Sequence, residues 1–233
     1  MFDFFLEKQS SPGRGELARA ALLQAGLEEF GRNNLEGARI REIAERAGQN
    51  VASISYYFGG KQELYHEVAR GIVAYLRERL EPRLERAREF LEESGELDPE
   101  RRAAALEHLK GLCRGLIGAL LADERTIVMT MIILREQILP TEAFDIFYDG
   151  FISLMHTEVT QLVCFLRKLD PGSTEARLLA HSVLGQIFGF RAARESILRS
   201  AGLEKLDNRT VAKIETIVCD NLERLFNLES SRT

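Results

Sequence analysis

Apolar residues recur along the chain at the spacing of three and four that marks amphipathic helices, and no long stretch alternates apolar and polar positions. The first helix is predicted from about Arg14 to Gly31, with one apolar face formed by Ala20, Leu23, Leu27 and Phe30. Asn34 follows, and asparagine tolerates the left-handed backbone that ends many helices. This pattern predicts an all-α fold.

Turn-forming residues divide much of the remaining chain into longer helices. A fourth helix is predicted from about Lys61 to Leu80, and Pro82 should kink or restart the helix within a charged, solvated run from Arg77 to Glu93. Further helices are predicted at Glu100–Leu121, Glu124–Ile138, Thr141–Lys168, Thr174–Ser200 and Asn208–Leu228. Their apolar content exceeds one narrow stripe, so part of it must face a partner.

Two short helical segments precede the fourth helix, from Ile40 to Ala47 and from Val51 to Phe58. The residues expected to face inward are Ile40, Ile43, Ala44, Ala47, Val51, Ile54 and Phe58. Only Gly48-Gln49-Asn50 separates the segments; glycine suits the turn, and asparagine is a good N-cap. Two helices of about two turns joined in this way predict a helix-turn-helix between about Ile40 and Phe58.

The second segment carries side chains suited to reading DNA, because in this motif it enters the major groove. Its outward residues are small or polar and allow close approach and hydrogen bonds to bases: Gln49, Asn50, Ala52, Ser53, Ser55 and Tyr56. Tyr57 and Lys61 can reach phosphates. The predicted partner is therefore a double-stranded DNA operator.

The composition is that of an ordinary globular chain, and the net charge is negative. The 233 residues are 45% hydrophobic and 29% charged, as in ordinary globular chains, and no apolar run is long enough to span a membrane. Residues 1–8 lack the features of a secretory signal. The net charge of −5 is unusual for a DNA-binding protein, since phosphate contacts normally come from a basic surface. Any positive surface must come from the placement of individual residues.

Residues 15–76 resemble the DNA-binding domain of the TetR family of bacterial regulators. The matching text is IREIAERAG from Ile40 to Gly48, ISYYFGGK from Ile54 to Lys61, and Glu63-Leu64. The resemblance implies a homodimer with a three-helix helix-turn-helix domain, here residues 1–60, and a larger helical ligand-binding and dimerisation domain, here residues 61–233. It usually also implies repression that a small molecule relieves.

The chain departs from the family where threonines usually precede the second helix, since Ala38-Arg39 stands there. This removes a helix cap and a phosphate-binding hydroxyl, for which Arg39 can compensate electrostatically. A glycine common early in the recognition helix is also absent, so the operator sequence cannot be carried over.

The C-terminal part, about residues 100–228, is similar to a CecR-like subgroup linked with drug response and export, through REQILPT from Arg135 and GQIFGFR from Gly185. In the family the last two long helices pair with those of a second subunit. The resemblance therefore implies core and interface positions at Leu184, Ile187, Phe188, Ile214, Ile217, Val218 and Leu222. Two helix-turn-helix domains held at a fixed spacing in the dimer imply a palindromic operator.

The small-molecule effector is not identified by the sequence. Candidate ligand-binding residues are Met129, Arg135, Phe151, Met155, Gln186 and Phe190. The apolar members can equally be core residues. Arg135, next to Glu136, can instead form an internal ion pair or a hinge contact, and Gln186 can instead face the dimer partner.

No catalytic motif, metal-binding spacing or cofactor motif is present, so we expect neither an enzyme nor a bound metal or cofactor. The pair Glu28-Glu29 is expected on a solvated face. Three widely spaced cysteines, Cys113, Cys164 and Cys219, favour a reducing cytoplasm, with a redox sensor or buried small side chains as alternative roles.

Two further readings of the function stay open. One is a ligand-independent regulator or an activator. The other is a helical dimer that binds protein or lipid, in which the helix-turn-helix serves only as fold.

Overall fold

The computed structural model describes residues 13–93, 98–121, 123 and 126–227, and all regular structure in these ranges is helical. The helices are α1 Arg14–Gly37, α2 Ile40–Arg46, α3 Val51–Phe58, α4 Lys61–Glu92, α5 Pro99–Leu121, α6 Thr126–Ile138, α7 Ala143–Phe147, α8 Ser153–Arg167, α9 Thr174–Ala192, α10 Arg194–Ala201 and α11 Asn208–Asn227. The all-α prediction is confirmed. The predicted segment 1–8, the helix start at Glu124 and the helix end at Leu228 lie outside the described residues.

The chain divides into two compact units, one formed by Met1–Arg77 with Arg125–Phe151 and the other by Glu78–Glu124 with Ile152–Thr233. In the first unit, α1 packs against α6 and α2, and α2 packs against α3. The predicted domain boundary at residue 60 stays a prediction.

The first helix breaks where its asparagine predicts a break. Asn34 has a φ of 59°, and its side-chain oxygen accepts a hydrogen bond of 2.7 Å from the Gly37 N–H. The chain then resumes helical hydrogen bonding, so α1 extends to Gly37. Of the predicted apolar face, Leu23, Leu27 and Phe30 are buried, while Ala20 is partly exposed.

Helix α4 does not end at Leu80 or restart at Pro82; it continues to Glu92. The prediction that the run from Arg77 to Glu93 is solvated is also wrong for one face of the helix, because Leu80, Leu84 and Ala87 are fully buried in the second unit. Burial of a regular apolar stripe offsets the hydrogen bond that proline removes.

In the second unit α5 packs against α8, α9 and α11, and among the described residues it supplies more buried apolar side chains than any other helix of that unit. Buried Lys110 of α5 binds Glu107 at 2.7 Å and Glu223 of α11 at 2.5 Å. Arg102 donates to the carbonyl oxygens of Leu166 and Phe226, the former at 2.9 Å. These bonds tie α5 to the ends of α8 and α11.

Two predicted helices are interrupted. The segment Thr141–Lys168 contains a π-helical turn at Tyr148–Ile152 between α7 and α8, and the segment Thr174–Ser200 breaks at Ala193. Neither interruption is marked by proline, and helical periodicity alone does not reveal it.

Candidate nucleic-acid interface

The turn between α2 and α3 forms a Schellman motif. Gly48, at φ 63°, donates its N–H to the Glu45 carbonyl at 3.0 Å, and Gln49 donates to the Ala44 carbonyl at 2.9 Å. Glycine adopts this left-handed backbone without steric cost. The predicted role of Gly48 in the turn is confirmed, and the turn fixes the direction in which α3 leaves.

Asn50 caps α3 as predicted, since its side-chain oxygen accepts a hydrogen bond of 2.9 Å from the Ala52 N–H. At the other end Gly59, at φ 82°, donates to the Ser55 carbonyl at 2.9 Å. Ile54 and Phe58 anchor the helix in the core. Ile40 and Val51, expected inside, are both 36% exposed because each begins its short helix at the surface.

The outer face of α3 is open to solvent. Tyr56 is 83% exposed, and its ring meets that of Tyr57 edge to face with centroids 5.0 Å apart. The other predicted DNA-reading residues are exposed or partly exposed: Gln49, Asn50, Ala52, Ser53 and Ser55. Helix α3, its N-cap Asn50 and the preceding Gln49 together present all six predicted base-reading side chains.

The two predicted phosphate-binding residues are held close to α1. The Lys61 ammonium donates a hydrogen bond of 3.0 Å to the Glu36 carbonyl. The Tyr57 hydroxyl lies 3.5 Å from the position a Cβ would take at Gly15. Both groups are partly exposed, so they are positioned by α1 and remain accessible.

Arg39 is exposed and stands at the N-cap of α2, where family members usually have threonine. Its side chain makes no capping hydrogen bond, as predicted from the missing threonine hydroxyl. Its backbone N–H donates instead to Glu29 of α1 at 3.3 Å. Glu29 also accepts from Asn33 at 3.0 Å and lies 3.7 Å from an Arg46 guanidinium nitrogen. The prediction of a solvated Glu28-Glu29 pair is wrong for Glu29, which is buried and joins α1 to α2.

The sequence matches known families of transcriptional regulators. Residues 22–68 match the family described as bacterial regulatory proteins, tetR family, and residues 105–227 match the C-terminal domain of the HTH-type transcriptional dual regulator CecR. CecR of Shigella flexneri is 34% identical over 207 residues, which cover 88% of this chain and 90% of CecR. The chain belongs to the TetR family of transcriptional regulators.

Solved TetR-like structures share the fold at low identity. AibR, in a complex with isovaleryl coenzyme A and operator DNA, has a TM-score of 0.61 at 16% identity and covers 90% of this chain and 98% of its own. A transcriptional regulator from Rhodococcus sp. RHA1 has a TM-score of 0.57 at 21% identity, covering 91% and 97%. The predicted TetR and CecR-like resemblances are confirmed. Among the described residues, no helix has the length and apolar character to cross a membrane.

For a TetR-family chain, the last two long helices, α9 and α11, are those expected to meet a second subunit. Five predicted interface residues are buried within the protomer: Leu184, Ile187, Ile214, Val218 and Leu222. Ile217 is 48% exposed and Phe188 is partly exposed. Leu178, 65% exposed, belongs to the same helix as Phe188 and was not identified from the sequence.

The predicted ligand-binding residues do not form one cluster within either unit. Met129, Arg135 and Phe151 belong to the first unit, and Met155, Gln186 and Phe190 belong to the second. Met129, Phe151 and Met155 are buried. The Gln186 side chain accepts a hydrogen bond of 3.1 Å from Asn221. Two grooves within the second unit are lined by other residues.

Arg135 and Glu136, which interrupt the apolar helix α6, bind other parts of the first unit. The Arg135 guanidinium donates to the Phe30 carbonyl at 2.9 Å and the Gly31 carbonyl at 3.3 Å. The buried Glu136 carboxylate accepts from the Tyr65 hydroxyl at 2.7 Å and the Thr141 N–H at 2.9 Å. The Arg135 contacts join α6 to α1, which also contacts Tyr57 and Lys61. The Glu136 contact with Tyr65 joins α6 to α4.

Histidines and cysteines do not form a metal cluster in the described residues. His156 and His181 stack with ring centroids 5.1 Å apart, a pairing that their separation along the sequence conceals. Burial, followed by the neighbouring His181, lowers the pKa of His156. All three cysteines are buried, and burial raises the pKa of the Cys113 thiol to about 12.

Proposed function

We propose that this TetR-family chain acts as a homodimeric repressor that leaves a palindromic operator when a small apolar or amphipathic ligand binds. We further propose that it works in the cytoplasm, where DNA is accessible, and that drug-efflux genes are among its targets. The observation that carries the DNA-binding role is the exposed outer face of α3, held in place by the Gly48 turn and the Asn50 cap.

The contacts define how each side chain can meet DNA. Because the Asn50 oxygen already caps α3, its amide nitrogen is the group left to donate to a base acceptor. The Gln49 amide, the Ser53 and Ser55 hydroxyls and the Ala52 methyl offer hydrogen bonds and thymine contacts. Tyr57 and Lys61 bind phosphates and set the register without carrying sequence information.

A second copy of the chain is the partner that suits the exposed apolar side chains of α9 and α11. Leu178 and Ile217 would be covered by it, and the buried neighbours Leu184 and Val218 would support the surface from within the protomer. The two helix-turn-helix domains of the dimer would then read two half-sites that are separated by one DNA turn, ~34 Å, or more.

A regulator with a dual role is the second candidate, favoured by the name of the relative CecR, a dual regulator. Transcription from the target promoter distinguishes the candidates. Deletion of the gene raises expression of every target if the protein only represses, and lowers some targets if its role is dual.

The proposal is tested by titrating the full chain against the DNA upstream of its own gene and against an unrelated duplex, at two salt concentrations. Preferential, salt-sensitive binding supports it. Lys61→Ala and Tyr57→Ala should weaken binding to both duplexes, because they remove phosphate contacts. Equal and weak binding to both duplexes, and to random DNA after selection, would contradict the proposal.

A further inference from the structure

An open groove of about 650 Å³ lies within the second unit, between the C-terminal parts of α4 and α8 and the turn that follows α8. Its apolar wall includes Leu91, Phe165, Leu169 and Pro171. This volume suits a drug-sized molecule with an apolar body. None of the six ligand-binding residues predicted from the sequence lines it.

The polar wall contains one carboxylate with an unused acceptor. Glu158 is 4% exposed, and its Oε1 accepts a hydrogen bond of 2.7 Å from Arg88 Nε. Its Oε2 is buried and has no hydrogen-bond partner among the described residues. A buried charged oxygen without a donor costs free energy, which a ligand that brings a donor would recover.

The charges around the groove favour a cation. Two carboxylates, Glu92 and Glu158, line it together with one guanidinium, that of Arg88. Arg88 is already engaged by Glu158 and, at 3.2 Å, by Glu81. The hydrogen bond that Arg88 donates to Glu158 raises the pKa of Arg88, and the two carboxylates balance the charge of Arg88 before any ligand arrives. An anionic group would find no free cation among these lining residues, whereas an ammonium would find acceptors.

We propose that this groove binds an amphipathic amine, whose ammonium donates to Glu158 Oε2 and whose apolar body covers Leu91 and Phe165. Oε2 is covered in the present conformation, so a side chain of the groove wall must move to admit the donor. The groove would then be an effector site. The effector role rests on the proposed function as a DNA-binding regulator, whereas the binding of the amine to the groove does not.

The test is calorimetric titration of the full chain, without DNA, with three probes of one shape: 1-naphthylmethylamine, 1-naphthalenemethanol and 1-naphthoic acid. The amine should bind at least about 10-fold more tightly than the alcohol and the acid. Equal binding of amine and alcohol, or no binding of the amine, would overturn the proposal.

Variants then place the amine in the groove. Glu158→Gln removes the charge and should weaken amine binding about 10-fold or more. Because this change also affects Arg88, exposed Gln161 in the groove wall provides a second variant. Gln161→Arg should weaken the amine by repulsion, while Gln137→Arg, at an exposed position on α6, should not. If Gln161→Arg binds the amine as tightly as Gln137→Arg does, the groove is not the site.

Adding the amine to a preformed protein–DNA complex tests the regulatory meaning separately. Release of DNA by the amine, lost in Gln161→Arg, supports an effector site. Amine binding without release would keep the site and overturn its effector role. A protein that binds the amine but no DNA would contradict the proposed function and leave the site standing.

Discussion

The phenol of Tyr65 on α4 donates a 2.7 Å hydrogen bond to the buried carboxylate of Glu136 on α6. Burial is the largest cause that raises the pKa of Tyr65, and the hydrogen bond to Glu136 is the second. The raised pKa keeps the hydroxyl protonated, so it remains a donor. The Tyr65 ring also meets that of Phe30 on α1, with centroids 5.0 Å apart. Three helices of the first unit are therefore held together at one tyrosine.

Tyr65→Phe is predicted to destabilise the protein by about 1–3 kcal/mol, because a buried carboxylate loses a donor. Phenylalanine keeps the ring beside Phe30, so the loss reports on the hydroxyl. Urea unfolding measures it, with Tyr148→Phe at an exposed tyrosine as the control. Equal stability of Tyr65→Phe and the wild-type protein would mean that this hydrogen bond contributes nothing.

Gly31→Ala tests the close approach of α1 and α6. A Cβ at Gly31 would lie 2.6 Å from Val128 Cβ and 2.7 Å from the Val128 carbonyl oxygen. The helices must move apart, at a cost of about 1–3 kcal/mol. Gly111→Ala in α5 is the matched control, since a Cβ at Gly111 would have no atom within 4 Å apart from its chain neighbours and its own helix backbone. Helix propensity there favours alanine by about 0.5–1 kcal/mol. Thermal unfolding should shift in opposite directions, and a shift in the same direction would contradict the packing described.

The sequence predicted the helical fold, the helix-turn-helix with its turn and cap, and the character of the α3 outer face. These features depend on local rules, which act within a few residues of Gly48 and Asn50. Contacts between distant residues were not predictable in this way. The burial of Glu29 and the contact of Arg135 with the Phe30 carbonyl depend on which helices meet.

The dependence on contacts between helices also explains what the sequence did not predict in the second unit. The helix does not restart at Pro82, because a buried stripe continues past it, while a kink at Pro82 stays a prediction. The acceptor at Glu158 and the stacking of His156 on His181 join residues from different helices. Periodicity assigns a residue to a face, but it does not identify the neighbour that the face meets.

The Cys113 thiol is predicted to be unreactive in the folded protein. With a pKa of about 12, only about one thiol in 10⁴ is ionised at pH 8. An unfolded thiol ionises near pH 8.5. The stability that this thiol contributes is therefore complete below about pH 8.5 and falls as the pH rises towards 12.

Iodoacetamide at pH 8, followed by mass spectrometry, measures this reactivity. Cys113 should be alkylated in urea and spared in the native protein. A Met131→Cys variant supplies an exposed thiol on α6 as the control. Native alkylation of Cys113 at the rate of the control would contradict its burial and reopen a redox role.

To test whether the outer face of α3 reads DNA, we would compare the affinities of a Tyr56→Ala variant and the wild-type protein for a duplex that the wild-type protein selects from random sequences. Tyr56 is 83% exposed, so its removal should leave the fold unchanged. We expect Tyr56→Ala to bind this duplex about 10-fold or more weakly, a loss of about 1.4 kcal/mol or more, and Tyr148→Ala to bind it as tightly as the wild-type protein. Equal affinities of Tyr56→Ala and the wild-type protein for the selected duplex, or a wild-type protein that selects no sequence, would contradict it.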